Sequence, residues 1–240
     1  MTEFGSIAAV VLANLTIAGG AAAQAAIGMG LNLFAVPLLA LIDPQLVPGP
    51  VLFHSFMISV LASYRLRAGI DRRELVISIA GLLIGTAVAA LALLQVSAQS
   101  LPKVFGALVL AAVAITAAGL RVRLTDSSVL GASAAAGVMG TIAGVHGPPI
   151  ALVYQRESPE RIRSALLPFF IFANGLSMVA LAAIGMFGWR ELNASLMMLP
   201  GLAVGFWASP WLIRAMTPGS VRACILMISA ISGLTLLLKG

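Results

Sequence analysis

The sequence predicts an all-α polytopic membrane protein made of two inverted-topology repeats. Each repeat is expected to be a glycine-broken or re-entrant helical hairpin followed by three transmembrane helices, about 8–10 spans in all. Three observations predict this. The chain is 60% hydrophobic and only 9% charged, with a mean hydropathy of +1.07, whereas soluble domains carry about 25% charged residues. Its long apolar stretches do not alternate with polar residues as barrel strands would, so they are helices whose backbone groups pair internally. Glycine turns and their flanking features recur at a spacing of 117 residues.

The apolar segments fall at roughly 5–27, 31–42, 50–64, 75–94, 101–120, 128–144, 148–155, 164–187, 192–212 and 220–238. A full crossing takes about 20 helical residues, so 31–42 and 148–155 are too short to cross alone. Each short segment follows a longer one after a glycine turn, Gly28-Met29-Gly30 in one case and Gly144-Val145-His146-Gly147-Pro148 in the other. Gly30 and Gly147 are 117 positions apart, as are Arg73-Glu74-Leu75 and Arg190-Glu191-Leu192. Gly81-x-x-x-Gly85 corresponds to Gly201-x-x-x-Gly205 after three inserted residues. Residues 1–120 and 121–240 are therefore expected to be the two repeats of one membrane domain. The GxxxG pairs are equally compatible with a homodimer and with packing inside one chain.

Basic residues set the orientation. Four loops hold 11 of the 14: Arg65, Arg67, Arg72 and Arg73; Arg121 and Arg123; Arg156, Arg161 and Arg163; Arg214 and Arg222. Only Lys103, Arg190 and Lys239 remain for the other side. The positive-inside rule places the four loops in the cytoplasm and both termini outside. Corresponding loops of the two halves then lie on opposite sides, which is what makes the repeat inverted. The segment 128–155 starts and ends inside. Its roughly 28 helical residues reach about 42 Å, short of the roughly 60 Å that two crossings need. It is expected to be a re-entrant or broken hairpin with its tip at depth.

Topology also accounts for the net charge of +6, so no nucleic-acid partner is expected. The partners are the lipid bilayer and a small anionic substrate. The single cysteine, Cys224, excludes an intrachain disulfide. The N-terminus lacks the basic region of a signal peptide and carries Glu3 instead, so removal after Ala21-Ala22-Ala23-Gln24 is not expected.

Non-helical backbone at membrane depth must be buried in protein or line a cavity. At each glycine turn a short helix begins, with unpaired amides and the positive end of its dipole. Two such starts facing one another make an anion site without a buried Lys or Arg. Pro148 and Pro149 suit a first helical turn. All eight acidic residues lie in loops or at segment edges, which disfavours a cation site. The candidate substrate-binding residues are Gly28, Gly30, Gly144, Gly147 and Pro148 of the turns, with the polar residues Gln24, Asn32, His54, Ser55, His146 and Asn174 at depth. His146 and His54 are the intramembrane groups able to titrate near neutral pH. Tyr64, Tyr154, Trp189 and Trp211 fall near segment ends as interfacial anchors.

Gly28-x-Gly30 followed by Ala35-Val36-Pro37-Leu38-Leu39 and Asp43-Pro44 resembles the first signature of the TauE/SafE family. Gly140-x-x-x-Gly144-Val145-His146-Gly147-Pro148-Pro149-Ile150 resembles its second signature. The resemblance covers nearly the whole chain. It implies an exporter of sulfite, organosulfonates or related small anions in the bacterial inner membrane, with no cofactor. An anion channel with the same site and a non-transport membrane scaffold are the alternatives. No enzyme is expected, because no His-Glu-x-x-His, intramembrane Asp pair or P-loop is present.

Overall fold

A computed structural model describes residues 6–27, 30–65, 71–119, 122–215 and 218–239. Gly28, Met29, Arg67 and Arg121 lie outside the described residues. The described chain is helical, in the order α1 (Ile7–Ile27), α2 (Leu31–Ile42), α3 (Gly49–Arg65), α4 (Arg72–Leu93), α5 (Leu101–Ala117), α6 (Asp126–Ala143), α7 (Gly147–Tyr154), α8 (Pro159–Ala183), α9 (Trp189–Met197), α10 (Leu199–Ala215) and α11 (Pro218–Lys239).

Among the described residues, six helices are long and apolar enough to cross a membrane, or seven if α9 and α10 count as one span bent by 46°. This is below the 8–10 spans expected. The difference lies in the hairpins: α2 and α7 have 12 and 8 residues, and α6 is 18 residues rich in Ser, Gly and Ala. Large apolar side chains point outward from the bundle, among them Leu83 and Leu91 on α4, Val204 and Trp207 on α10, and Ile231 and Leu238 on α11. Outward-facing apolar side chains on a helical bundle suit contact with lipid. The chain is a multi-pass membrane protein.

The helices pair across the two halves: α4 along α6, α1 along α10, α3 on α8 and α5 on α11. Exchanging α1–α5 for α6–α11 leaves this scheme unchanged. Both GxxxG pairs serve it. Gly81 and Gly85 press against the backbone of α6 at Leu130 and Ala134, and Gly201 and Gly205 press against α1 at Asn14 and Ala18. Lipid supplies no hydrophobic drive between helices, so such close backbone approach is what gains dispersion energy.

Helix breaks are satisfied by specific side chains. Between α9 and α10, the Asn14 side chain donates to Met197 O at 3.1 Å and accepts from Gly201 N at 2.8 Å. Pro37 lies inside α2 and has no N–H for Leu33 O. The Ser229 hydroxyl supplies that carbonyl instead, at 2.6 Å.

Arg73, Arg161 and Arg222, described residues from three of the arginine-rich segments, lie at one end of the bundle. Arg73 pairs with Asp126 at 2.5 Å. Arg161 bonds Glu74 at 2.6 Å and lies 3.6 Å from Asp71. Arg222 donates to Thr116 O at 2.7 Å. Elsewhere Gln45 and Arg190, expected to share the other side, bond each other directly. Tyr64, Trp189 and Trp211 are exposed, in line with anchoring. Tyr154 is not: it is buried, and its hydroxyl donates to Glu74 Oε2 at 2.9 Å. It ties α7 to α4 and Arg161, and its place at a segment end does not mark an interface.

Candidate functional site

The two glycine turns meet. Gly30 precedes α2 with φ 122° and ψ −18°, and Gly144 ends α6 with φ 79° and ψ 4°. Both values are in the positive-φ range that only glycine enters freely. The second turn's strained glycine is thus Gly144. Gly147 is the first residue of α7 and has no positive φ. Asn32, in the first turn of α2, donates Nδ2 to Gly144 O at 2.5 Å and so joins the turns.

Beside this junction lies a cavity of about 360 Å³, within the range of about 300–1,000 Å³ typical of small-molecule sites. Gln24, Gly30, Asn32, Leu33, Ser55, Val145, Gly147, Pro148 and Phe170 line its inner part. Thr116, Gln155, Ile162, Gly219 and Arg222 line the part nearer the surface. These last residues sit at the helix ends that carry the arginine-rich loops, and Gln155, Gly219 and Arg222 are exposed. The cavity therefore runs from that end of the bundle to the turns.

The inner wall offers hydrogen-bond donors. The first i−4 bond of α2 is Phe34 N to Gly30 O at 3.1 Å, so the amides of Leu31, Asn32 and Leu33 have no acceptor within the helix. The start of α7 is poorer than expected for a helix N-terminus. Two of its first three residues are Pro148 and Pro149, so Gly147 alone carries an N–H there. The α7 dipole still directs its positive end at the cavity. Ser55 Oγ accepts from Asn174 Nδ2 at 3.1 Å, which leaves its hydroxyl proton free to donate. Ser59 gives its proton to Ser55 O at 2.7 Å and accepts from Gln24 Nε2 at 3.0 Å. That fixes the Gln24 carboxamide, with its oxygen as the remaining end.

Of the eleven residues singled out, the structure brings Gln24, Gly30, Asn32, Ser55, Gly147 and Pro148 to this one cavity. Asn174 stands one bond behind, through Ser55, and Gly144 one bond behind, through Asn32. His54 lies away from the cavity, fully buried in α3, with Nδ1 2.7 Å from Pro50 O. His146 is also fully buried outside the cavity, its ring packed on Gly140 and its Nε2 3.0 Å from Ser177 Oγ. Gly28 lies outside the described residues. Sequence reasoning missed Arg222 and Gln155 as cavity residues. Arg222 lies among arginines that topology already explains, so no signal in the sequence separates it from them.

These features define a polytopic helical membrane protein with a largely apolar cavity that carries a few convergent polar groups and is closed at one end by two broken helices. The chain matches the family model for the sulfite exporter TauE/SafE over residues 12–236 and belongs to that family. Membership implies a membrane transporter of sulfur anions such as sulfite. No curated protein and no solved structure matches the chain.

Proposed function

We propose that this protein exports small sulfur-containing anions, sulfite or organosulfonates, through a central site at the two glycine turns. The observation that carries this is that one cavity is bordered by Gly30 and Asn32 on one turn and by Gly147 and Pro148 on the other. Helix amides and a hydroxyl provide neutral donors, and two helix starts provide positive potential, which together suit a monoanion without a buried counter-charge. The volume of about 360 Å³ lies in the range of small-molecule sites, enough for a sulfonate with a short organic tail. The arginine-rich end is read as cytoplasmic by the positive-inside rule, so the cavity admits substrate from the cell interior, the direction an exporter needs. In this proposal residues 1–120 and 121–240 are inverted repeats in the inner membrane, a relation supported by the exchange-symmetric helix pairing.

A carrier is favoured over a channel because the side of the turns away from the cavity is packed solid. Thr86, Thr141, His146 and Ser177 fill it, all buried. The test is flux of radiolabelled sulfite into liposomes holding the purified protein. A carrier saturates with sulfite concentration. Flux that rises linearly without limit would establish the channel instead, and no flux with sulfite or any sulfonate would end the transport reading.

A further inference from the structure

Behind the turn at 144–147, away from the cavity, lies a second polar layer that matches the first. In the cavity wall, Gln24 of α1 bonds Ser59 of α3 at 3.0 Å. In the packed layer, Thr141 of α6 bonds Ser177 of α8 at 2.7 Å. Thr141 follows Gln24 by 117 positions and Ser177 follows Ser59 by 118, so the same two helices of each half are bonded at the same place. The Ser55–Asn174 bond links α3 to α8 between them.

The layers differ in accessibility. Gln24 and Ser55 border the cavity, whereas Thr141, His146, Asn174 and Ser177 are each 0% exposed. Thr141 donates to Thr86 Oγ1 at 3.2 Å. Ser177 then gives its proton to Thr141 and accepts from His146 Nε2–H. That tautomer leaves His146 Nδ1 a bare acceptor, and neither it nor Asn174 Oδ1 has a partner among the described residues. Buried acceptors without donors are rare in a native protein and call for an explanation. A second conformation in which this layer faces a ligand or water supplies one.

The side to which the layer would open follows from chain direction. α6 starts at the arginine-rich end, where Asp126 pairs with Arg73. α1 starts towards the other end, where Asn14 bonds the α9–α10 break. Gln24 and Thr141 both sit late in their helices, so they approach opposite ends of the bundle. We infer that Thr141, Ser177 and His146 form a second half of the oxyanion site, which contacts substrate when the cavity opens away from the arginine-rich loops. The inference rests on the transport reading above and adds to it the residues of the opposite-facing state.

The test uses a Cys224→Ser parent carrying Ser177→Cys or, for comparison, Ser55→Cys. Right-side-out and inverted membrane vesicles are treated with a small charged methanethiosulfonate reagent, with and without 2-hydroxyethanesulfonate. Ser55→Cys is expected to react from the arginine-rich face and Ser177→Cys from the opposite face only, with the sulfonate slowing both. Independently, Ser177→Ala is expected to raise the KM for sulfite entering from the opposite face about tenfold, as loss of a hydrogen bond to a charged ligand does. The KM from the arginine-rich face is expected to stay within about twofold. A Ser177→Cys protein that carries sulfite yet never reacts from the opposite face overturns the inference. So does Ser177→Ala raising both KM values equally, since that is how a purely structural hydroxyl behaves. Absence of sulfite flux in the Cys224→Ser parent refutes the transport reading separately, and the face from which Ser177→Cys reacts then decides the second layer alone.

Discussion

Asn32, at the start of α2, donates its side-chain amide to the carbonyl of Gly144, at the end of α6, across 2.5 Å. The two residues are 112 positions apart, and each belongs to a different broken hairpin. The bond satisfies one of the carbonyls that the end of α6 leaves unpaired. It also sets the distance between the two turns that border the cavity. Asn32→Ala removes the one donor to that buried carbonyl among the described residues. The expected result is a loss of about 1–3 kcal/mol, the usual consequence of an unsatisfied buried polar group. Thermal unfolding in detergent measures it. Stability equal to the parent would show that the turns are held together by packing alone.

The glycines at the turns should respond differently from one another. Gly30 and Gly144 have φ values of 122° and 79°, and a side chain in such a conformation costs about 1–2 kcal/mol or more. A Cβ at Gly30 would also lie 3.0 Å from Ile225 Cδ1. Gly147 has an ordinary φ, and its nearest obstacle is Phe170 Cζ at 3.7 Å. Gly30→Leu is expected to abolish sulfite binding while the protein still inserts. Gly147→Ala should bind nearly normally, and Gly147→Leu should block the cavity it lines. Thermal shift with sulfite reads all three. Normal binding by both leucine variants would move the site elsewhere.

Much of this architecture was legible because apolar length and glycine position are local properties. α2 begins and ends at the residues the sequence marked, and the turns lie where Gly30 and Gly144 fall. The arginine loops converge because charge at helix ends encodes topology. What was not legible depends on side-chain direction at one residue's resolution. His146 lies between Val145 and Gly147, both of which line the cavity, yet its ring turns back onto Gly140. Tyr154 resembles Tyr64 in the sequence, each near the end of an apolar segment, but Tyr64 is exposed whereas Tyr154 is buried and bonded to Glu74. The bend at Met198 was hidden because an apolar run of the right length carries no mark of a break.

Labelling of introduced cysteines can check the orientation. Gln45 and Arg190 bond one another at one end of the bundle, and Arg161 lies at the other with Glu74. In sealed cells of a Cys224→Ser parent, Gln45→Cys and Arg190→Cys are expected to react with an impermeant reagent, and Arg161→Cys is not. The opposite pattern would place the cavity mouth outside the cell and reverse the proposed direction.

The ion pairs at the arginine-rich end should contribute unequally. Arg161 and Glu74 are 27% and 18% exposed, and Glu74 also accepts from Tyr154. Arg73 and Asp126 are 77% and 54% exposed. Glu74→Ala strips two donors of their acceptor in a half-buried setting and is expected to cost about 1–3 kcal/mol. Arg73→Ala should cost no more than about 1 kcal/mol, as exposed pairs do. Chemical or thermal unfolding of the two variants gives the comparison. Equal losses would mean that burial does not set the strength of these pairs.

Arg222 is the charged residue on the cavity wall whose role can be separated from binding at the turns. It is exposed, borders the cavity, and its guanidinium is held by Thr116 O at 2.7 Å. A fixed positive charge at the mouth raises the local concentration of an anion, and salt weakens that effect over a Debye length of about 10 Å at 0.1 M. Arg222→Gln keeps a donor for Thr116 but removes the charge. It is expected to raise the KM for sulfite entering from the arginine-rich face about three- to tenfold at low ionic strength. At high ionic strength the variant and the parent should converge, because the parent's attraction is screened. Arg222→Lys keeps the charge and should follow the parent at both. A KM increase that persists at high salt would instead put the guanidinium in direct contact with bound substrate. An unchanged KM at low salt would remove Arg222 from the transport path and leave it as a topological charge with a carbonyl partner.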